Sequence, residues 1–349
     1  MSSQTPPSNT AFILPHAGGG LHTISKRTTS IPSPRAHEVL IKINAVSLNY
    51  RDFAMSAAFY PVSRSPNRVL GSDMAGEVVE VGEGVGAEEF KKGDRVTANF
   101  SQSHIFGTRT GQRQDLGEGL DGVLQEYRVF KSDGLLHVPK HLSYEEAACW
   151  PCAGVTAWNA LYNGNPLVPG QTVLFQGTGG VSMAGLLFAV RAGAKTIITS
   201  GSDEKLAIAK KLGATHTINY KTNPDWDKVV LALTEGVGAH HIFDNVGVEQ
   251  IEKCFNCAAY GGNIHCIGFL GDQQKPGPNV LMHVLLKNLT IRGVDVGSKQ
   301  LHTDMLRFIE TNELKPHIDR VFAFEDTVKA IEYLGSGQHV GKVVVKISV

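Results

Sequence analysis

The chain has 349 residues, 42% of them hydrophobic and 19% charged, with 33 lysines and arginines balanced by 33 aspartates and glutamates. This composition excludes a largely disordered chain, and the absence of a basic excess speaks against a groove that tracks nucleic-acid phosphates. No stretch approaches the ~18 uninterrupted apolar residues of a membrane span, and the length favours two domains over one.

Met1 to Pro15 is polar and Pro-rich, with no basic segment leading into an apolar core. A signal peptide is therefore not expected, and a cytoplasmic location is. "EVLIKINAVSLN" has the β-branched content of a half-buried strand, and "GEVVEVGEGV" and "KKGDRVTANF" are short strands broken by glycine turns. Ser101 to Gly122 lacks periodicity and reads as a long loop, of the kind that often carries function. His104 and Ser103 lie in it and read as ordinary loop residues. His137 and His141 have metal-like spacing, but Pro139 between them makes the segment a turn.

The five cysteines, 149, 152, 254, 257 and 266, are an odd count unsuited to a disulfide framework. Cys149 ends a helical pattern opened by a capping box, Ser143 with Glu146, and broken by Pro151. Cys254 and Cys257 fall in "VEQIEKCFNCAAYGG", an amphipathic helix pattern closed by glycines. Buried apolar thiols suit both pairs better than a zinc site.

After Pro151 the rhythm changes. "TVLFQG", "TIITSG", "HTINY", "HIFDNVG", "NIHCIGF" and "LTIRGVDV" are short apolar strands, most of them separated by helical patterns such as "SMAGLLFAVRAGA" and "SDEKLAIAKKLGA". That alternation predicts an α/β domain with a doubly wound parallel sheet. Two helices, "LHTDMLRFIETNEL" and "FEDTVKAIEYLGSG", follow it. A last strand, "GKVVVKISV", is expected to return to the first domain.

"VLFQGTGGVSMAGLLF" places a glycine turn between the first strand and first helix of this domain. Gly177 allows the tight turn, while Gly179 and Gly180, with Thr178 and Val181, bring backbone N–H groups to a pyrophosphate at the helix N-terminus. Ser182 stands where a third glycine is usual. An acidic residue about 20 positions on would select NAD. Here the second strand ends in Thr199, Ser200, Gly201 and Ser202, which repel no 2′-phosphate. Ser200, Ser202 and Lys205 could bind one, so NADP(H) is the expected coenzyme.

"SLNYRDF", "GSDMAGEVVEVGEGV", "KKGDRV", "PCAGVTAWNAL", "GTGGVS" and "GKVVV" resemble, in this order, the medium-chain dehydrogenase/reductase superfamily, and most of all its zinc-independent quinone-oxidoreductase and enoyl-reductase branch. The resemblance runs from about residue 35 to the C-terminus. It implies a GroES-like β-barrel catalytic domain over 1–152, completed by 299–349, and a Rossmann domain over 153–298, with the coenzyme between them. Zinc-dependent members carry a Cys, a His and a second Cys at positions that here hold Asn49, Ser72 and Cys152. The four-cysteine lobe of structural zinc is also missing, so the resemblance implies a metal-free protein. It further implies coenzyme contacts from Thr156, Tyr220, Asn245, Gly268, Phe269 and Lys342.

Without a metal to polarise a simple carbonyl, a conjugated acceptor is easier to reduce, because negative charge delocalises onto an oxygen that a donor can meet. The expected activity is hydride transfer from NADPH to an enone, enal or quinone. Asn49, Tyr60 and Tyr50 are the candidate polar groups beside the acceptor, and Asp52 is expected to fix the local turn. An enoyl-thioester reductase and a zinc-free alcohol dehydrogenase are alternatives. The former would use basic residues at a channel mouth, for which Arg51, Arg64, Arg68, Arg109 and Arg113 are available, although scattered surface arginines explain them as well. A coenzyme-binding protein without turnover is the non-enzymatic alternative. The expected partners are a small-molecule substrate and a second copy of the chain, paired along Leu289 to Ser298, with neither nucleic acid nor membrane.

Overall fold

The computed structural model describes residues 8–16, 19–60 and 66–347. The chain forms two compact units, Met1–Ala153 with Gly297–Val349, and Gly154–Val296.

The first unit is built on the strand Glu38–Leu48, whose run of β-branched and aliphatic residues is almost wholly buried. It pairs antiparallel with Asp73–Val81, with Tyr127–Lys131 and with the C-terminal strand Lys342–Lys346. Val343 lies opposite Leu48 and Lys346 opposite Ala45, so the last strand does return to the first domain. These strands belong to a seven-stranded sheet, and a three-stranded sheet lies beside it in sequence. Ile41, Ile43, Leu48, Val78, Val343 and Val345 share one core with Phe12 and Leu14. Ser8–Leu14 is the middle strand of the three-stranded sheet, with Ala11 to Leu14 buried. The rest of the signal-peptide reading, on residues 1–7, falls outside the described residues.

The second unit is an α/β layer with a six-stranded, wholly parallel sheet. Counted along the chain, its strands lie in the order third, second, first, fourth, fifth, sixth, which is the doubly wound Rossmann order. Its core gathers Leu174, Ile197, Ile242, Phe255 and Ile264. The helix Gly180–Arg191 packs close to the sheet because position 185 has no side chain. A Cβ there would stand 2.6 Å from the Phe175 ring. The expected glycine-closed helix around Cys254 and Cys257 ends earlier. It stops at Cys257, and Ala258–Cys266 runs on as a strand through Gly261 and Gly262, with an irregular register against its neighbour. Cys149, Cys254 and Cys257 are buried as expected, whereas Cys152 and Cys266 are only partly so.

Three histidines are buried within these units. His241 and His265 sit on adjacent strands with ring nitrogens 3.1 Å apart and rings stacked. His302, on the helix Lys299–Thr311, faces Asn99 Oδ1 at 3.3 Å. Burial holds His241 down to about 4, and His265 and His302 to about 3. These imidazoles stay neutral in the folded chain, while unfolded they take a proton near 6.5. Their stabilising effect is therefore complete above about pH 6.5 and is lost as pH falls below it. Each should cost about 2 kcal/mol between about pH 7 and pH 5. The urea midpoint is expected to fall steeply over that window, and less steeply in His265→Gln. A midpoint that stays level would contradict the assignment.

Candidate functional site

At the end of the strand Glu38–Leu48, Asn49 turns the chain into the short helix Tyr50–Ser56. Its backbone N–H donates to the Asp52 carboxylate at 2.8 Å, which gives Asp52 the turn-fixing role expected of it. The Asn49 amide meets two further groups. Nδ2 donates to Ser72 Oγ at 3.3 Å, and Oδ1 accepts from Lys342 Nζ at 2.6 Å. Lys342 also donates to the Leu48 carbonyl at 2.7 Å and stands 4.0 Å from Asp73. Asp73 accepts from the Ser72 hydroxyl at 2.7 Å and from the Cys152 backbone N–H at 3.0 Å. One buried network thus joins Asn49, Ser72 and Cys152 to an aspartate and a lysine. Burial raises the Asp73 carboxyl against the pull of Lys342, and raises Asp52 against Arg51. Burial, reinforced by Asp73, pushes the Cys152 thiol far above its ordinary range.

Arg51 is not a surface arginine. It is 7% exposed and lies over the Phe100 ring. Arg109 and Arg113 both bind the fully buried Asp115, at 3.0 and 3.1 Å, and so organise the long loop rather than standing free. Arg64 falls outside the described residues. Tyr60 is half-buried, and burial raises its hydroxyl while Arg51 opposes the rise. Tyr50 is more exposed and packs on Phe53 and Phe59. His137 and His141 address separate backbone carbonyls, of Glu89 and Leu314, but only His141 lies outside regular structure: His137 ends the strand Leu135–His137, because it pairs with Val96.

In the second unit, Gly177 has φ 74°, the left-handed region that glycine alone enters without strain. Gly179 precedes the helix Gly180–Arg191 with no side chain capping its N–H groups. A Cβ on Gly177 or Gly179 would meet nothing within 4 Å, so the backbone there is open to approach. Ser182 replaces the missing third glycine usefully, donating to the Gln176 carbonyl at 2.8 Å. Asn245 Nδ2 donates to that same carbonyl and to Ser182 Oγ. Gly268 lies so close to Asn245 that a Cβ would come within 2.4 Å of its carbonyl oxygen. Gln176 escaped the sequence reading: its Oε1 accepts from the Asn245 and Val246 N–H groups. Thr178 is buried, and Val181 and Phe269 are half-buried beside these strand ends in sequence. Thr156 is buried in the helix Val155–Tyr162.

Ser200 and Ser202 meet at the end of the second strand, where Ser202 also accepts from the Lys205 N–H as the helix cap. The Tyr220 N–H donates to the Ser200 carbonyl, and its ring covers Gly201. Lys221, which no sequence signal marked, has its side chain at Gly201 as well. Lys342, expected to reach the coenzyme from the C-terminal strand, donates to Asn49 within its own unit.

Among the described residues no group of three or more His, Cys, Asp or Glu side chains is disposed to hold a metal ion. The family model of the alcohol dehydrogenase GroES-like domain matches residues 35–140, and that of zinc-binding dehydrogenases matches residues 180–311. A zinc-type alcohol dehydrogenase-like protein of Schizosaccharomyces pombe is 45% identical over 317 residues, covering 89% of this chain and 91% of its own. An acryloyl-coenzyme A reductase of Metallosphaera sedula is 29% identical over 326 residues, 91% of this chain and 94% of its own. A solved structure of an NAD-dependent alcohol dehydrogenase superposes with a TM-score of 0.88 at 32% identity, covering 97% of this chain and 100% of that one. The chain belongs to the medium-chain dehydrogenase/reductase superfamily and is an oxidoreductase of that family.

Proposed function

We propose that this protein is a metal-independent reductase that uses NADPH to reduce a conjugated carbonyl or a quinone. The observation that carries the reading is the ammonium of Lys342 within the Asn49, Ser72 and Cys152 network. A zinc ion wants about three donors, with any thiol ionised. Here an amide and a hydroxyl stand at two of the positions, already bonded to each other, and a cation lies 2.6 Å from the amide oxygen. The third is a thiol that burial keeps protonated. These residues do not fit a zinc ion.

The glycine turn fits a dinucleotide, because its N–H groups are uncapped and its surface is unobstructed. NADPH, when bound, supplies the hydride. The chain's own residues would bind and orient. Gly177, Thr178, Gly179, Gly180 and Val181 would cradle the pyrophosphate, and Ser200, Ser202, Lys205 and Tyr220, with Lys221 added, would meet the 2′-phosphate. Thr156, Asn245, Gly268 and Phe269 would line the nicotinamide half. In the first unit Asn49 and Tyr60 would address the acceptor. Lys342 is better placed to hold the Asn49 amide than to touch the coenzyme. The acryloyl-coenzyme A reductase relative favours an enoyl thioester as the second reading of the acceptor.

A homodimer is part of the proposal. Thr290–Gly293 lies at the end of the parallel sheet, paired on one side only. The preceding helix, Val280–Lys287, exposes Leu281, Leu285 and Leu286 at 80%, 74% and 67%. An open edge next to a bare apolar helix calls for a cover, and a second copy provides one symmetrically.

NADPH is expected to bind at least about tenfold more tightly than NADH in a fluorescence titration, with Lys205→Ala and Lys221→Ala each removing about tenfold of that preference. Equal affinities would move the protein to the NAD-dependent side, where one of its structural relatives stands. Extensive treatment with a chelator should leave NADPH consumption with enones unchanged, and native protein should hold no stoichiometric zinc. Light scattering should give twice the chain mass, and Leu281→Glu with Leu285→Glu should give the single mass. A monomer before substitution would refute the pairing.

A further inference from the structure

Arg51 carries donors that its surroundings leave unused. Its Nη2 donates to the Leu116 carbonyl at 2.9 Å, but its Nε and Nη1 are buried without a hydrogen-bond partner. The carboxylate of Glu118, itself 5% exposed, stays 3.7 Å from Nη2, beyond hydrogen-bond reach, and Oε2 is likewise unpartnered. The pair is thus close enough to balance charge without satisfying its donors. Phe100 backs one face of the guanidinium, 4.6 Å from its carbon. Asp52, the next residue in sequence, is the other carboxylate that favours the charge on Arg51. A buried guanidinium with open donors is costly unless an acceptor completes it, and one held against a ring keeps its donors aimed.

We propose that Arg51 receives the oxygen of the reducible acceptor, donating to it from Nε or Nη1. This rests on the reading of the protein as a reductase of conjugated acceptors. The transferred hydride pair forms the new C–H bond at the β-carbon, and the carbon–carbon π pair shifts toward the carbonyl. Its oxygen takes the negative charge as an enolate while the coenzyme is oxidised to the nicotinamide cation. A solvent proton then adds at the α-carbon. Arg51 stays protonated throughout, so its contribution is electrostatic, strongest where the oxygen charge is greatest. The guanidinium therefore takes the part that a Lewis acid would play elsewhere.

The test compares wild type, Arg51→Met, and Arg51→Met with Glu118→Gln. Two readouts are used: NADPH consumption with an enone, and binding of 4-nitrophenolate, a stable oxyanion, at a pH where it is ionised. Arg51→Met should lower kcat/KM by about 100-fold or more and weaken phenolate binding by at least about tenfold, with NADPH affinity within about twofold of wild type. The double variant should not recover either. Recovery there would show that Arg51 only neutralises Glu118, and equal phenolate binding in Arg51→Met would also overturn the proposal. If wild type consumes NADPH with no conjugated acceptor, the proposed function falls, and the phenolate comparison still decides the role of Arg51.

Discussion

The buried ammonium of Lys342 is the constraint on which the first unit's polar site depends. A lysine taken out of water survives only where its donors and charge are met. The Leu48 carbonyl, the Asn49 amide and the nearby Asp73 meet them here. The lysine belongs to the last strand and its partners to the end of Glu38–Leu48 and the start of Asp73–Val81. The strand pairing therefore has to be complete before the network can close. Site and sheet are one cooperative object: the register that puts Val343 opposite Leu48 also puts Lys342 on Asn49. The lysine in turn settles which way the Asn49 amide points, because its oxygen must face the ammonium and its nitrogen must face Ser72.

The second unit solves a different problem. There the chain must leave backbone N–H groups free while packing everything behind them tightly. Gly177 and Gly179 keep the front open, and Gly185 lets the helix settle on Phe175 and Phe243. Behind the turn, Gln176, Ser182 and Asn245 satisfy one another at the ends of adjacent strands. Rigid support behind an open turn lowers the entropic cost of holding a ligand there.

Much of this was legible because it is local. The glycine turn, the capping box at Ser143 and Glu146, the βα alternation and the Asp52 turn each follow from neighbours in sequence, and the motif order carried the family. What was missed is long-range. Arg51 reads as one of several scattered arginines until the loop around Leu116 and Glu118 folds over it. That Lys342 also meets Asn49 shows only once strand pairing brings the two together. Lys221 has no signal of its own, and the strand Ser8–Leu14 hides behind a polar, Pro-rich start. The helix at Cys254 was drawn too long because small residues and glycines suit a strand in a buried parallel sheet as well as a helix end. Burial, set by tertiary contacts, decided each case.

Under the proposed function, the polar groups of the first unit divide into acceptors and donors. Oxidising an alcohol requires a group that takes the hydroxyl proton. Both oxygens of Asp73 already accept hydrogen bonds, the Cys152 thiol is held far from ionisation, and Asp52 gives one oxygen to the Asn49 N–H, whereas Asp52 Oδ1 and Glu118 Oε2 are buried without a partner. Beside these carboxylates the region offers donors: the Asn49 amide, the Arg51 guanidinium and the Tyr60 hydroxyl, whose pKa burial raises. Donors stabilise charge on an oxygen, as it develops when hydride enters a conjugated acceptor. A site made of donors around a buried cation is complementary to an oxyanion, and that complementarity lowers the barrier equally in both directions across one transition state.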